Sequence, residues 1–136
     1  MGFRLEFDQA NQIFLIAFEG EIDERTVADC SAAVRRVGVA PLFTIIDNTG
    51  VTRADISSEQ IRSAARRTPT KGVRQVIVAP QNVMYGLSRM FQIEGDEAWD
   101  DLHVVRTMRE ALDIIGVKSP SFSPIPINQR MTESDR

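Results

Sequence analysis

Apolar and polar residues alternate through positions 3–8, where Phe3, Leu5 and Phe7 are set against Arg4, Glu6 and Asp8. A period of two is the mark of a strand with one wet face. The polar run 8–12 reads as a turn, and the continuously apolar run 13–18 as a second strand deep in the sheet, so an antiparallel hairpin opens the chain. The period then changes. Asp23 can cap a helix over 24–37 in which Val27, Cys30, Val34 and Val37 recur at three- and four-residue steps, and Gly38 stops it. Residues 42–46, held between Pro41 and Asp47, form a short β-rich run of the kind buried on both faces of a parallel sheet. Ser57 and Gln60 form a capping-box pair for a helix over 58–67, ended by Thr68-Pro69-Thr70.

A further buried strand is expected over 73–79, closed by Pro80. Asn82 then caps a helix to about Gln92, with Val83, Leu87, Met90 and Phe91 as its stripe. Residues 103–106 make a short edge strand. Thr107 and Glu110 supply a second capping box, and Gly116 a second stop. The order β-β-α-β-α-β-α-β-α predicts an α/β fold: a mixed, mostly parallel sheet of about five strands with an N-terminal antiparallel hairpin and about four helices. Residues 1–116 form a single domain in this reading. Residues 117–136, rich in proline and serine, form a tail with no core of its own, held by its own domain or by another subunit.

Composition narrows the chemistry. At 136 residues the chain has room for one domain with a real core. One cysteine excludes an internal disulfide and a four-cysteine zinc site, and one histidine leaves little for a histidine-based metal cluster. A net charge of -3 gives no reason to expect nucleic acid. That mild charge is an average. Residues 60–93 contain no acid but hold Arg62, Arg66, Arg67, Lys71, Arg74 and Arg89; Glu94, Asp96, Glu97, Asp100 and Asp101 follow with no base among them. These segments are either solvated faces or two complementary patches that guide association. The longest apolar run, 13–18, is too short for a signal-peptide core or a membrane span, so a cytoplasmic protein without membrane insertion is expected.

Reaction motifs are missing. There is no GxxxxGK[ST] or GxGxxG loop, no HExxH and no paired CxxC, so neither a cofactor nor a metal is expected. Cys30 lies on an apolar stripe, where burial competes with any role as nucleophile; His103 opens a strand and has no evident partner. The most informative constellation is Asp47, Asn48 and Thr49 at the end of a strand, the address where parallel sheets collect binding sites. Asx turn chemistry is the alternative there. A phospho-receiver role for Asp47 would need further carboxylates after the first strand and a later lysine, which are not in place. Asn82 stands at a comparable strand end. Met84 and Tyr85 are apolar surplus beyond the helix stripe and, with Ile93 and Trp99, suit either a subunit interface or the wall of an apolar pocket.

The strand ending in Asp47, the following Gly50-Val51-Thr52 and the helix start Asp55-Ile56-Ser57-Ser58 resemble the STAS domain of anti-sigma factor antagonists. Ala79-Pro80, the run from Tyr85-Gly86-Leu87 to Phe91, and residues 107–112 resemble small SpoIIAA-like bacterial proteins, related by fold to CRAL-TRIO lipid-transfer domains. The resemblance covers residues 3–116. It implies a regulatory interaction module whose antagonist members present a serine at a helix start for phosphorylation. This chain has Ile56 where that serine would fall, and Ser57-Ser58 followed by Glu59 rather than glycine, which leaves Ser57 and Ser58 as candidate phosphosites or as capping residues only. Two functional expectations follow: a non-catalytic STAS-like module, homodimeric and with a protein partner, or a binder of a small apolar or lipid-like ligand.

Overall fold

The computed structural model describes residues 2–67, 73–94 and 101–126. β1 (Phe3–Asp8) and β2 (Ile13–Asp23) form the expected hairpin, in register from Phe3↔Phe18 to Asp8↔Ile13. The Asp8 carboxylate closes its turn, accepting from Asn11 N at 3.0 Å and Asn11 Nδ2 at 2.8 Å. Then follow α1 (Glu24–Val37), β3 (Phe43–Asp55), α2 (Ser58–Arg67), β4 (Arg74–Val78), α3 (Asn82–Glu94), β5 (Leu102–Val105), α4 (Met108–Ile115) and β6 (Ser123–Ile125). The sheet order is β5-β4-β3-β2-β1-β6. β2 to β5 run parallel, while β1 and β6 run antiparallel to their neighbours.

Each parallel crossover steps the same way along the sheet, from β2 to β3, β4 and β5. With right-handed connections, α1, α2 and α3 therefore share one face, and α4 is left for the other. The cores follow. Phe3, Leu5, Phe14 and Ile16 pack with Cys30 and Ala33 of α1; Ile13, Leu15, Ile45, Val76 and Val78 pack with Ala111 and Ile115 of α4. A helix of eight residues cannot cover its face alone. Val117 and Phe122 of the C-terminal segment pack on the same core, after which β6 pairs with β1 as Leu5↔Ile125, Glu6↔Pro124 and Phe7↔Ser123. The segment as far as Pro126 thus crosses one face and finishes the sheet edge within its own chain, adding a sixth strand to the five expected.

Capping chemistry sets the helix ends. Asp23 and Thr26 close a capping box at α1, Thr107 and Glu110 another at α4, and Gly38 and Gly116 end these helices in the left-handed region at φ 66° and 85°. Two departures matter for function. β3 does not stop at Asp47: only its pairing with β4 ends there, and β2 and β3 continue together to Asp23↔Asp55 as a two-stranded ribbon beyond the sheet. β3 carries one extra residue near Asn48 and another near Thr52, the bulges that bend and twist a strand. Gly50 lies close against β2, where a Cβ would stand 3.3 Å from Glu19 Cγ and 3.4 Å from Phe18 O. The second departure is the rotation of α3. Met84 and Ser88 are buried and Val83 is 67% exposed, so the stripe expected at Val83, Leu87, Met90 and Phe91 is rotated by about one residue.

Candidate functional site

The ribbon is joined to α3 by a small core. Ile22 and Val51 meet Ala79 and Met84, with Ile56, Tyr85 and Leu87 packed around them. Met84, expected as a binding residue, is part of this core. Gln81, which sequence reading passed over, fastens the same junction: its Nε2 donates to Val51 O at 2.9 Å and Thr49 O at 3.2 Å, and its carbonyl accepts the first helical bond of α3 from Tyr85 N. Its Oε1 is buried without a hydrogen-bond partner.

Asp47 accepts from Thr49 N at 2.9 Å and from Thr49 Oγ1 at 2.5 Å, closing the turn at the first bulge. Asn48 is buried and Thr49 exposed. Asn82, the first residue of α3, accepts at Oδ1 from Arg106 Nη1 at 2.8 Å; the same nitrogen donates to Pro80 O at 3.1 Å. The Arg106 guanidinium lies 3.9 Å from the centre of the Tyr85 ring, so a cation covers the face of that aromatic. Arg106 was also missed. Its signal was a basic residue just before the α4 cap Thr107, at a strand's carboxyl end.

Ser57 is the cap of α2. Gln60 N donates to Ser57 Oγ at 3.1 Å and Ser57 N to Gln60 Oε1 at 2.8 Å. Gln60 Nε2 also reaches Glu24 Oε2 at 2.7 Å, tying the start of α2 to the start of α1. Ser57 and Ser58 are exposed. At the α1 start, hydrogen bonds from the Thr26 backbone and hydroxyl hold the Asp23 carboxyl below its ordinary range.

Elsewhere the reactive groups are apart. Cys30 is buried on the α1 face, and burial pushes its thiol up to about 12. His103 is in register with Val76, which places it on the α4 face, with the sheet between it and Cys30. Its Nε2 lies 2.5 Å from Asp101 Oδ1, and Asp101 also takes Arg74 Nε at 2.6 Å. The charged segments partly answer each other in this way, through Arg74 with Asp101 and Arg62 with Glu94 at 3.2 Å. Trp99 and the acids 96, 97 and 100 lie outside the described residues, as do Lys71 and the side chains of Arg66 and Arg67. Among the described residues, no group of three or more His, Cys, Asp and Glu could hold a metal, and no helix is long and apolar enough to cross a membrane.

This architecture is the SpoIIAA-like fold, a mixed α/β sheet opened by an antiparallel hairpin. The chain is similar in structure to the anti-sigma factor antagonist SpoIIAA in its unphosphorylated form, with 18% identity and a TM-score of 0.54 over 84% of this chain and 97% of that one. It is also similar to an uncharacterized DUF3478-family protein with a SpoIIAA-like fold from Shewanella loihica PV-4, with 13% identity and a TM-score of 0.56 over 83% and 91% of the two chains. No protein-family model and no curated protein matches the sequence.

Proposed function

We propose that the chain is a non-catalytic regulatory module that docks a protein partner through the surface made by the β2/β3 ribbon and the start of α2. The observation that carries this reading is the presentation of exposed Ser57 and Ser58 at the N-terminus of α2, directly after a ribbon that Gln81 and the Met84 core fasten beyond the sheet. The likeness to SpoIIAA, an anti-sigma factor antagonist, supports it at the level of fold. Asp47 and Thr49 serve the surface by closing the turn at the bulge, buried Asn48 lies in the same turn, and Asn82 and Tyr85 tie α3 to Arg106. Ser57 is engaged in capping, which favours Ser58 as a phosphate acceptor; a phosphate in the first turn of α2 gains from the helix dipole and free amides. The module acts as a homodimer, a reading supported by the apolar outer side of α3. A carrier of a lipid-like ligand draws less support, because Met84 is core and Arg106 covers Tyr85.

The test places a photo-crosslinking residue at exposed Arg53 on the ribbon and, as control, at exposed Gln9 at the other end of the sheet, in lysate of the cells that make the protein. One stoichiometric partner captured from Arg53 and not from Gln9, with Ser58→Asp changing its capture more than tenfold, is the expected result. No capture at Arg53, or equal capture at both positions, overturns the reading.

A further inference from the structure

We propose that two copies of the chain associate through the outer face of α3, antiparallel about a twofold axis, with Val83 of one copy against Ile93 of the other and Gly86 of one beneath Met90 of the other. This rests on the homodimer part of the reading above and assigns its surface. The inner face of α3 is filled by Met84 and Ser88, and the outer one carries Val83, Gly86, Met90 and Ile93. Val83 is 67% and Ile93 64% exposed, which makes them two of the three exposed large apolar side chains among the described residues. On a helix they lie about 15 Å apart on one side. Gly86 stands between them in the helix interior, where glycine costs stability relative to alanine. A Cβ at Gly86 would meet nothing within 4 Å, so nothing in its own chain asks for glycine there.

The order of side-chain sizes along the stripe fits a second copy. Steps of three, four and three residues read the same in both directions, as a self-complementary contact across a twofold axis requires. Antiparallel pairing about position 88 sets the large Met90 of each copy over the notch at Gly86 of the other. Parallel pairing would set glycine against glycine and methionine against methionine, leaving a void beside a clash. An unrelated helix would need no such symmetry. The neighbouring charges do not block this approach: Glu94 is turned to Arg62 of α2, and Arg89 to Gln92 of its own helix. A helix of 13 residues is about 20 Å long and presents well under the roughly 800 Å² per partner of a standard interface, so the dimer is weak and concentration-dependent.

The full chain carries its own control, because its single native thiol, Cys30, is buried and protonated. Val83→Cys and Ile93→Cys proteins are oxidised separately and as a mixture. A covalent dimer is expected at least fivefold more abundant in the mixture than in either variant alone. In sedimentation of wild-type chain a concentration-dependent dimer is expected, weakened at least tenfold by Gly86→Leu while the monomer's circular dichroism is unchanged. Self-crosslinking of a single variant as strong as in the mixture overturns the antiparallel pairing. A dimer with no crosslink in the mixture overturns the α3 surface but leaves the homodimer reading standing. A monomer at every concentration overturns both.

Discussion

Replacing Asp8 by asparagine puts the fastening of the C-terminal segment to a direct test. Asp8 is 1% exposed, and its two oxygens receive Asn11 N, Asn11 Nδ2 and Ser121 N at 2.8–3.0 Å. The Oδ2 atom alone takes two of these, Asn11 Nδ2 and Ser121 N. An amide at position 8 presents an NH2 group to two donors; turned over, it presents that group to Asn11 N instead. Either way at least one buried donor loses its acceptor, at about 1–3 kcal/mol each, and the hydrogen bonds that remain lose their charge assistance. The expected cost is about 2–4 kcal/mol, a large share of the roughly 5–15 kcal/mol that holds a domain together. Hydrogen exchange read residue by residue should show the loss first at Ser121 and in β6, then in β1. The pH dependence provides a second readout. Hydrogen bonds from the Asn11 side chain and the Ser121 backbone hold the Asp8 carboxyl below its ordinary value of 3.8. A depressed native value means that the stabilisation is complete above the unfolded value near 3.8 and is lost as pH falls through the native one. Wild-type protein should therefore shed β6 protection on acidification below that point, and Asp8→Asn should remove this part of the acid sensitivity. Unchanged protection of the amides of Ser121, Phe122, Ser123 and Ile125 in the variant, with wild-type unfolding in urea, would refute the reasoning.

Three other outcomes are expected. Gly86→Ala, whose new methyl meets open space, should stabilise the chain by about 0.5–1 kcal/mol in urea titrations at concentrations too low for association. The orientation of α3 is checked by a pair: Met84→Ala should cost about 2–4 kcal/mol and Val83→Ala less than about 0.5, and equal costs would return the helix to the stripe expected from sequence. Ser57→Ala should cost about 1 kcal/mol and raise exchange of the Gln60 amide, because it removes the hydroxyl that accepts from that group.

Local chemistry was written plainly in the sequence wherever one residue settles an element's end. Asp23, Gly38, Thr107 and Gly116 mark α1 and α4 to the residue, because a cap satisfies backbone groups that lie within a few positions of it. The local pattern ends β3 early because Asp47, Asn48, Thr49 and Gly50 have the composition of a turn, and after them only Val51 is deeply buried. What extends the strand is β2, some thirty residues away, and no local pattern reports that. α3 was rotated for a related reason. Val83, Met84 and Tyr85 offer three apolar starts in a row, and the inner face is continued by Ser88, a small polar residue that periodicity counts as outside. At the candidate site, the residues on strand and helix ends were legible as polar groups at the right address. Gln81 and Arg106, which join those ends, were hidden because the hydrogen-bond partners of their side chains lie 24 to 32 residues away.

The pairing of β6 with β1 joins the first strand of the chain to the last described one, more than a hundred residues later. During synthesis the hairpin, the three crossovers and α4 can all emerge and pack while the outer edge of β1 still lacks its neighbour. For that interval the nascent chain carries an uncapped strand edge, the kind that recruits foreign strands. Closure of so distant a contact is also slow compared with the local pairing of the hairpin. The earliest strand to be made is thus the last to be finished, and premature chain termination just before Ser121 would release a molecule that is nearly folded yet prone to edge-to-edge aggregation.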